Sequence, residues 1–310
     1  MTRDEVRKLM QGPMATVVTP FDDDYEVDHG RMVEAVRYYV DGGLVTGKAV
    51  IKVAAAMGEG PMLRDDEWPA LLRTAVQAAE GKATIMCGIH YKDTKRTIED
   101  CKRVSDLGAI GVQINPPIFN APTQDDILRY FGDVSDAIDI GILLYNTHWL
   151  GYGNVLPETI LKMKDFKQLA GIKWSVPEGQ DYEDMTKFVD IFNVIDNSSQ
   201  AARCHKLGGR GYINLTSEIY PPHELRVWEL LETKQYDEGQ ALFDKVNDPL
   251  RDLYAKQCEI SGGQARLKKA MMAIMGLPMG ASRPPSTPLS EEEVAEVREV
   301  MIGFGWPVKN

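Results

Sequence analysis

The chain has 310 residues, 44% of them hydrophobic and 26% charged, enough for one large core or a barrel with an appendage. A formal net charge of −11 disfavours nucleic acid and anionic membrane surfaces as partners. The sequence has no run of about 18 apolar residues, so no membrane span is expected.

Residues 14–20 are apolar and β-branched and stop at Pro20-Phe21, which predicts a first strand. Residues 28–43 carry Met32, Val33, Val36, Tyr39 and Val40 at helical spacing and end on Gly42-Gly43. A second strand over 49–54 is followed by the loop 55–61 and a helix over 64–80. Strand 83–88, helix 94–107, strand 111–115 and helix 124–137 come next, then strand 140–145, helix 157–164 and strand 169–174. Helix 181–189, strand 192–196, helix 200–207 and strand 211–215 complete the alternation. Eight short apolar strands with helical returns imply parallel pairing and the (β/α)8 TIM barrel, in the α/β class. An open doubly wound sheet would want a Gly-rich turn after strand one, and Thr19-Pro20-Phe21-Asp22 is not one. Past Pro222 only helices are expected, the last opened by a capping box at Ser290 and Glu293. The expected division is a barrel over 1–222 and a helical region over 223–310 packed on it.

The four cysteines, Cys87, Cys101, Cys204 and Cys258, form no CxxC pair, as in a reduced cytoplasmic protein without zinc site or disulfide framework. Met1 to Glu5 are charged, with no apolar signal core. A cytoplasmic enzyme or binding protein fits these features.

Chemistry in such a barrel belongs at the C-terminal strand ends. Strand six, Leu169-Ala170-Gly171-Ile172-Lys173-Trp174, ends on a lysine. Burying an ammonium is costly unless it is paired or loses its proton. Desolvation at a barrel mouth would free the amine to condense with a ketone. The alternative is a strand-end lysine reaching into solvent. Tyr145 closes the neighbouring strand five, and its hydroxyl could move protons beside an imine; the alternative is a structural barrel tyrosine. The five histidines make no close ligand pair and no strand end carries a carboxylate cluster, so no metal site is expected. His90 and His148 fall at strand ends within reach of a substrate, whereas His205 and His223 are expected on solvated surfaces. Glu59 is expected to anchor its loop.

These residues in this order resemble the class I aldolase family that contains dihydrodipicolinate synthase and N-acetylneuraminate lyase. The resemblance covers nearly the whole chain: Thr19-Pro20-Phe21, Gly58-Glu59, Asn120 with Pro122-Thr123-Gln124, Tyr145-Asn146, Gly171-Ile172-Lys173, Gly208-Gly209 with Gly211, and Arg283-Pro284-Pro285. It implies that Lys173 forms a Schiff base with a 2-oxo acid, usually pyruvate, without metal or organic cofactor. It also implies that Tyr145 relays protons and that the protein is a homotetramer.

The departures bear on the substrate. Where the family has Gly-Thr-Thr-Gly-Glu, this chain has Ala55-Ala56-Met57-Gly58-Glu59, leaving the backbone N–H groups of Met57 and Gly58 as carboxylate donors. A Tyr-Tyr pair is replaced by Ile118-Phe119. The arginine by which dihydrodipicolinate synthases grip the aldehyde carboxylate is replaced by Leu150, which argues against that activity. Met57, Ile118, Phe119, Trp149, Leu150 and Trp174 suggest an apolar pocket for an aromatic or apolar aldehyde. Ala56, Gly58, His148 and Ile213 complete the expected substrate-binding set. Two other readings stay open. One is a 2-oxo-3-deoxy sugar acid dehydratase using the same lysine, with Asn115, Asn197, Ser198, Ser199 and His148 on the hydroxyls. The other is a non-catalytic relative that binds an oxo acid.

Overall fold

The structure, a computed structural model, describes residues 1–90 and 92–309. Eight strands form a closed parallel barrel in chain order: β1 (Gly12–Thr16), β2 (Val50–Val53), β3 (Thr84–Ile89), β4 (Gly111–Ile114), β5 (Gly141–Tyr145), β6 (Leu169–Trp174), β7 (Asn193–Asp196) and β8 (Gly211–Tyr212). β8 closes the ring on β1 with Gly211 opposite Gly12. The expected (β/α)8 barrel is the fold observed. Three strands, β4, β6 and β8, begin where the sequence reading starts them, and the other five begin within two residues of it.

Two strands end three or more residues before their predicted ends, for local reasons. β1 ends at Thr16, and Val17 keeps one ladder bond, from its N–H to the Lys52 carbonyl at 3.1 Å. β8 has two residues, because the Asn214 side chain takes the chain over. Asn214 Oδ1 accepts from Thr216 N, Ser217 N and Ser217 Oγ at 3.2, 3.0 and 2.7 Å, replacing ladder bonds with a side-chain turn.

A short helix absent from the sequence reading, α1 (Arg3–Leu9), precedes the barrel and is opened by a capping box of Thr2 and Glu5. It closes the floor: a Cβ on Gly141 would stand 2.3 Å from Val6, and one on Gly171 would stand 2.7 Å from Met10 Sδ. Glycine at these strand positions is what lets the helix seat. The outer layer is α2 (His29–Asp41), α3 (Glu67–Ala79), α4 (Thr94–Asp106), α5 (Gln124–Ala137), α6 (Pro157–Lys162), α7 (Ala201–Lys206) and α8 (Pro221–Glu232). Between β6 and β7 the predicted helix is a 3-10 turn, Tyr182–Lys187. The Tyr182 carbonyl accepts the Trp174 indole N–H at 2.9 Å, diverting an oxygen an α-helix would use.

Three further helices follow: α9 (Tyr236–Ile260), α10 (Gln264–Ile274) and α11 (Glu291–Gly303), the last with the expected Ser290–Glu293 capping box. They are tied to the barrel by buried charge. Lys268 pairs with Glu218, and Lys269 pairs with Glu59 at 2.7 Å. Arg283 donates Nη1 to Glu67 Oε2 at 2.8 Å and Nη2 to Oε1 at 2.5 Å. The barrel interior is filled by Met14, Val50, Met86, Leu143, Ala170 and Ile195, so chemistry is left to the rim.

Candidate active site

β5 and β6 are neighbours, and their register sets Tyr145 opposite Lys173. Strand alternation sends adjacent side chains to opposite faces. Trp174 accordingly turns outward, fully buried against Phe188 with ring centroids 5.2 Å apart. It is not part of a pocket, which corrects the sequence expectation. Lys173 turns inward, 4% exposed, with Nζ 3.6 Å from the centre of the Tyr145 ring. Its pKa lies well below the ordinary lysine value, first through burial and then through the nearby positive charges of Lys52 and Lys268. The shift favours the free amine, the form that attacks a carbonyl carbon.

Lys52 was not singled out by the sequence reading, although a lysine in the middle of an apolar strand was a visible signal. It is fully buried on β2, with Nζ donating to Gln113 Oε1 at 2.9 Å. Burial brings its pKa down to about 7, with Lys268 pushing the same way and Glu218 opposing. Lys268 is also fully buried and donates Nζ to the Thr16 carbonyl at 2.6 Å while paired to Glu218.

On the β5 side a row of rings runs away from the lysine. Tyr145 meets Trp149 edge-on at 5.6 Å, and Trp149 meets His148 at 4.9 Å. Trp149 is 48% exposed, and burial lowers the pKa of His148. Leu150 is half-buried in the turn closed by its own N–H on the Thr147 carbonyl at 2.8 Å. Buried Asn146 holds this loop, donating to the Ser175 carbonyl at 3.0 Å and accepting from Val155 N at 3.0 Å.

After β2, Ala56, Met57 and Gly58 form a 3-10 turn, with Ala56 and Met57 half-buried and Gly58 buried. The Gly58 N–H bonds the Ala55 carbonyl at 2.8 Å, so it is not the carboxylate donor the sequence suggested. Glycine is required there, because a Cβ would stand 2.2 Å from the Val17 carbonyl oxygen. Thr19 Oγ1 donates to the Gly58 carbonyl at 2.6 Å and fixes the turn from β1. Glu59 anchors the loop to the C-terminal region: it pairs with Lys269 at 2.7 Å and accepts from the Arg283 backbone N–H at 3.3 Å.

Phe119 departs from expectation. It sits on the 3-10 turn Ile118–Asn120 and is 83% exposed, so it lines no pocket within this chain. The two histidines expected on solvated surfaces are packed instead, His205 between Trp228 and Tyr236 and His223 against Trp306. His90 is buried, with Nε2 3.1 Å from the Ala54 carbonyl, and burial lowers its pKa to about 4, so its ring is neutral. Among the described residues no group of three or more His, Cys, Asp or Glu side chains could hold a metal ion.

Met57 and Ile213 come together from opposite ends of the barrel sequence. They line one cavity of about 240 Å³ with Asn197, Asn214 and, from α9, Arg251. Sequence reading missed Asn214 and Arg251; no local pattern marks them, because the fold alone brings α9 to the barrel mouth.

Fold and site define the class: a (β/α)8-barrel enzyme, a carbon–carbon lyase of the aldolase type. The chain belongs to the dihydrodipicolinate synthetase family, whose model matches residues 9–302. It is similar to the 4-hydroxy-tetrahydrodipicolinate synthase of Heliobacterium modesticaldum, 25% identical over 94% of this chain and 95% of that one. Among solved structures it resembles dihydrodipicolinate synthase from Thermotoga maritima, with TM-score 0.84, 25% identity, and 96% and 99% of the two chains covered. It also resembles the chloride-inhibited dihydrodipicolinate synthase from Acinetobacter baumannii complexed with pyruvate, with TM-score 0.83, 23% identity, and 96% and 99% covered.

Proposed function

We propose that this protein is a class I aldolase that joins pyruvate, or a close 2-oxo acid, to an aldehyde with an apolar or aromatic body, or cleaves the product of that union. The observation that carries this reading is Lys173, buried without a carboxylate partner among the described residues and set against Tyr145. The Lys173 amine adds to the ketone carbon, and water leaves to give a protonated imine. Water takes a proton from the adjacent methyl carbon and passes it to solvent, and the electron pair is held as an enamine. The enamine carbon bonds to the aldehyde carbon while the new alkoxide takes a proton from Tyr145. Water then hydrolyses the imine, releasing a 4-hydroxy-2-oxo acid and the free lysine. The cycle needs no metal or organic cofactor.

Leu150, where an arginine would grip a carboxylate, supports an aldehyde other than that of the dihydrodipicolinate synthases. Ala56, Met57, His148, Trp149 and Ile213 are the proposed binding residues. Asn197, Ser198 and Ser199 at the β7 end favour, as a second reading, dehydration of a 2-oxo-3-deoxy sugar acid through the same imine. Product analysis by mass spectrometry separates the two. A new or broken carbon–carbon bond supports the aldolase; loss of water with the carbon chain intact supports the dehydratase and overturns the first reading.

We further propose a homotetramer in the cytoplasm. Exposed Phe119, Trp149 and Tyr152, at 83%, 48% and 59%, support a covered surface near the barrel mouth. Sedimentation at micromolar concentration should give four chains per particle; a single chain would contradict it.

A further inference from the structure

We infer that the cavity between the barrel mouth and α9 is an anion-binding subsite for the far end of the acceptor, with Arg251 as its charge and Asn214 as its neutral donor. This rests on the reading of Lys173 as the imine-forming residue.

Position comes first. Asn197, on the cavity wall, donates its N–H to the Trp174 carbonyl at 2.9 Å, one residue beyond Lys173. The cavity thus borders the β6 end on the side away from the Tyr145–Trp149 row. A substrate joined to Lys173 can extend into it across Met57, an unbranched side chain that can shift.

Chemistry comes second. Asn214 is 8% exposed, and its Oδ1 is held by three donors, which fixes the plane of the amide. Its Nδ2 has no partner among the described residues. A buried donor left unmet costs about 1–3 kcal/mol, so a ligand oxygen there recovers a loss the fold already carries. Arg251 is the one charged residue among the described residues lining the cavity. Its guanidinium meets Asp248 at 3.0 Å, with both side chains at least half exposed. Such a pair is worth about 0–1 kcal/mol, so an incoming carboxylate displaces it at little cost. In a chain of net charge −11, this is a local cation placed where an anionic arm would need it. The acceptor class is therefore an aldehyde with an apolar body and a distal carboxylate, gripped from α9 rather than from the loop after β5.

The test compares condensation of pyruvate with two matched aldehydes, one carrying a distal carboxylate and the other its primary amide. Wild-type protein should prefer the carboxylate roughly tenfold or more in kcat/KM. Arg251→Gln should remove most of that preference through KM. Asn214→Asp, which keeps the Oδ1 acceptor and puts charge in place of the donor, should invert it. Melting temperatures show whether the variants are folded. Equal use of both aldehydes by wild type, or a preference that survives in folded Arg251→Gln, overturns the inference. Borohydride trapping of pyruvate on wild type tells this failure apart: no adduct removes the Lys173 reading and the subsite with it.

Discussion

Two buried lysines, 96 residues apart in sequence, sit in opposite electrostatic settings. Lys173 at the barrel mouth and Lys269 at the α10 seam are 4% and 5% exposed. Lys269 is given Glu59 at 2.7 Å, the Ala281 carbonyl at 2.9 Å and the face of Phe21 at 4.2 Å. Burial lowers its pKa only to about 8, with Glu59 opposing, so it keeps its charge at neutral pH. Lys173 has other lysines near it, and burial drives its pKa well down. Desolvation is common to both sites; the partner decides whether the charge is kept or disfavoured.

The largest effect that can break this comparison is on catalysis. Lys173→Met should lower turnover about 10⁴-fold or more, because no other group supplies the covalent electron sink. The same change should raise the melting temperature. With a folded pKa below the unfolded one, the unfolded chain binds more protons wherever the two states differ, and folding there works against the charge on Lys173. A variant that is both inactive and less stable would remove the contrast.

Tyr145→Phe should cost roughly 10²–10⁴-fold in kcat while leaving imine trapping in place. Loss of trapping as well would make the tyrosine a packing residue.

At the seam the sign reverses. Lys269→Met strands the Glu59 carboxylate in a buried site and should destabilise by about 3–5 kcal/mol in urea unfolding. Glu67→Gln, opposite the Arg283 fork, should fall in the same range of about 3–5 kcal/mol. A neutral result at either site would mean the seam is not a clamp.

The smallest effect is pH-dependent. His90 has a folded pKa of about 4 against 6.5 unfolded, so the unfolded chain binds more protons between those values. Its contribution is present above pH 6.5 and is lost as pH falls towards 4. Asp196, raised by burial to about 6, works in the opposite direction over the same range. The clean measurement is therefore a difference. His90→Gln should gain on wild type by up to roughly 3 kcal/mol as pH falls through that window. Parallel stability curves for the two proteins would contradict it.

Much of the scaffold was readable because its signals are local. Strand 169–174 and helix 124–137 match the sequence reading end to end, and the Ser290–Glu293 cap opens α11 where its residues said it would. The same kind of signal, Thr2 with Glu5, marked α1 and was passed over in a charged N-terminus. At the site, Lys173 and Tyr145 were legible because adjacent parallel strands end on them. The outward turn of Trp174 followed from alternation beside Lys173 and could have been read. Phe119, Asn214 and Arg251 could not. The first depends on how a short turn leaves β4, and the other two on a long helix folding back over the rim, a contact between residues far apart in sequence.

The most direct test is reductive trapping with pyruvate and borohydride, followed by peptide mapping of the labelled chain. The account predicts one adduct, on the peptide containing Lys173, and none on those containing Lys52, Lys268 or Lys269. An unlabelled protein, or a label on one of the other buried lysines, would contradict it.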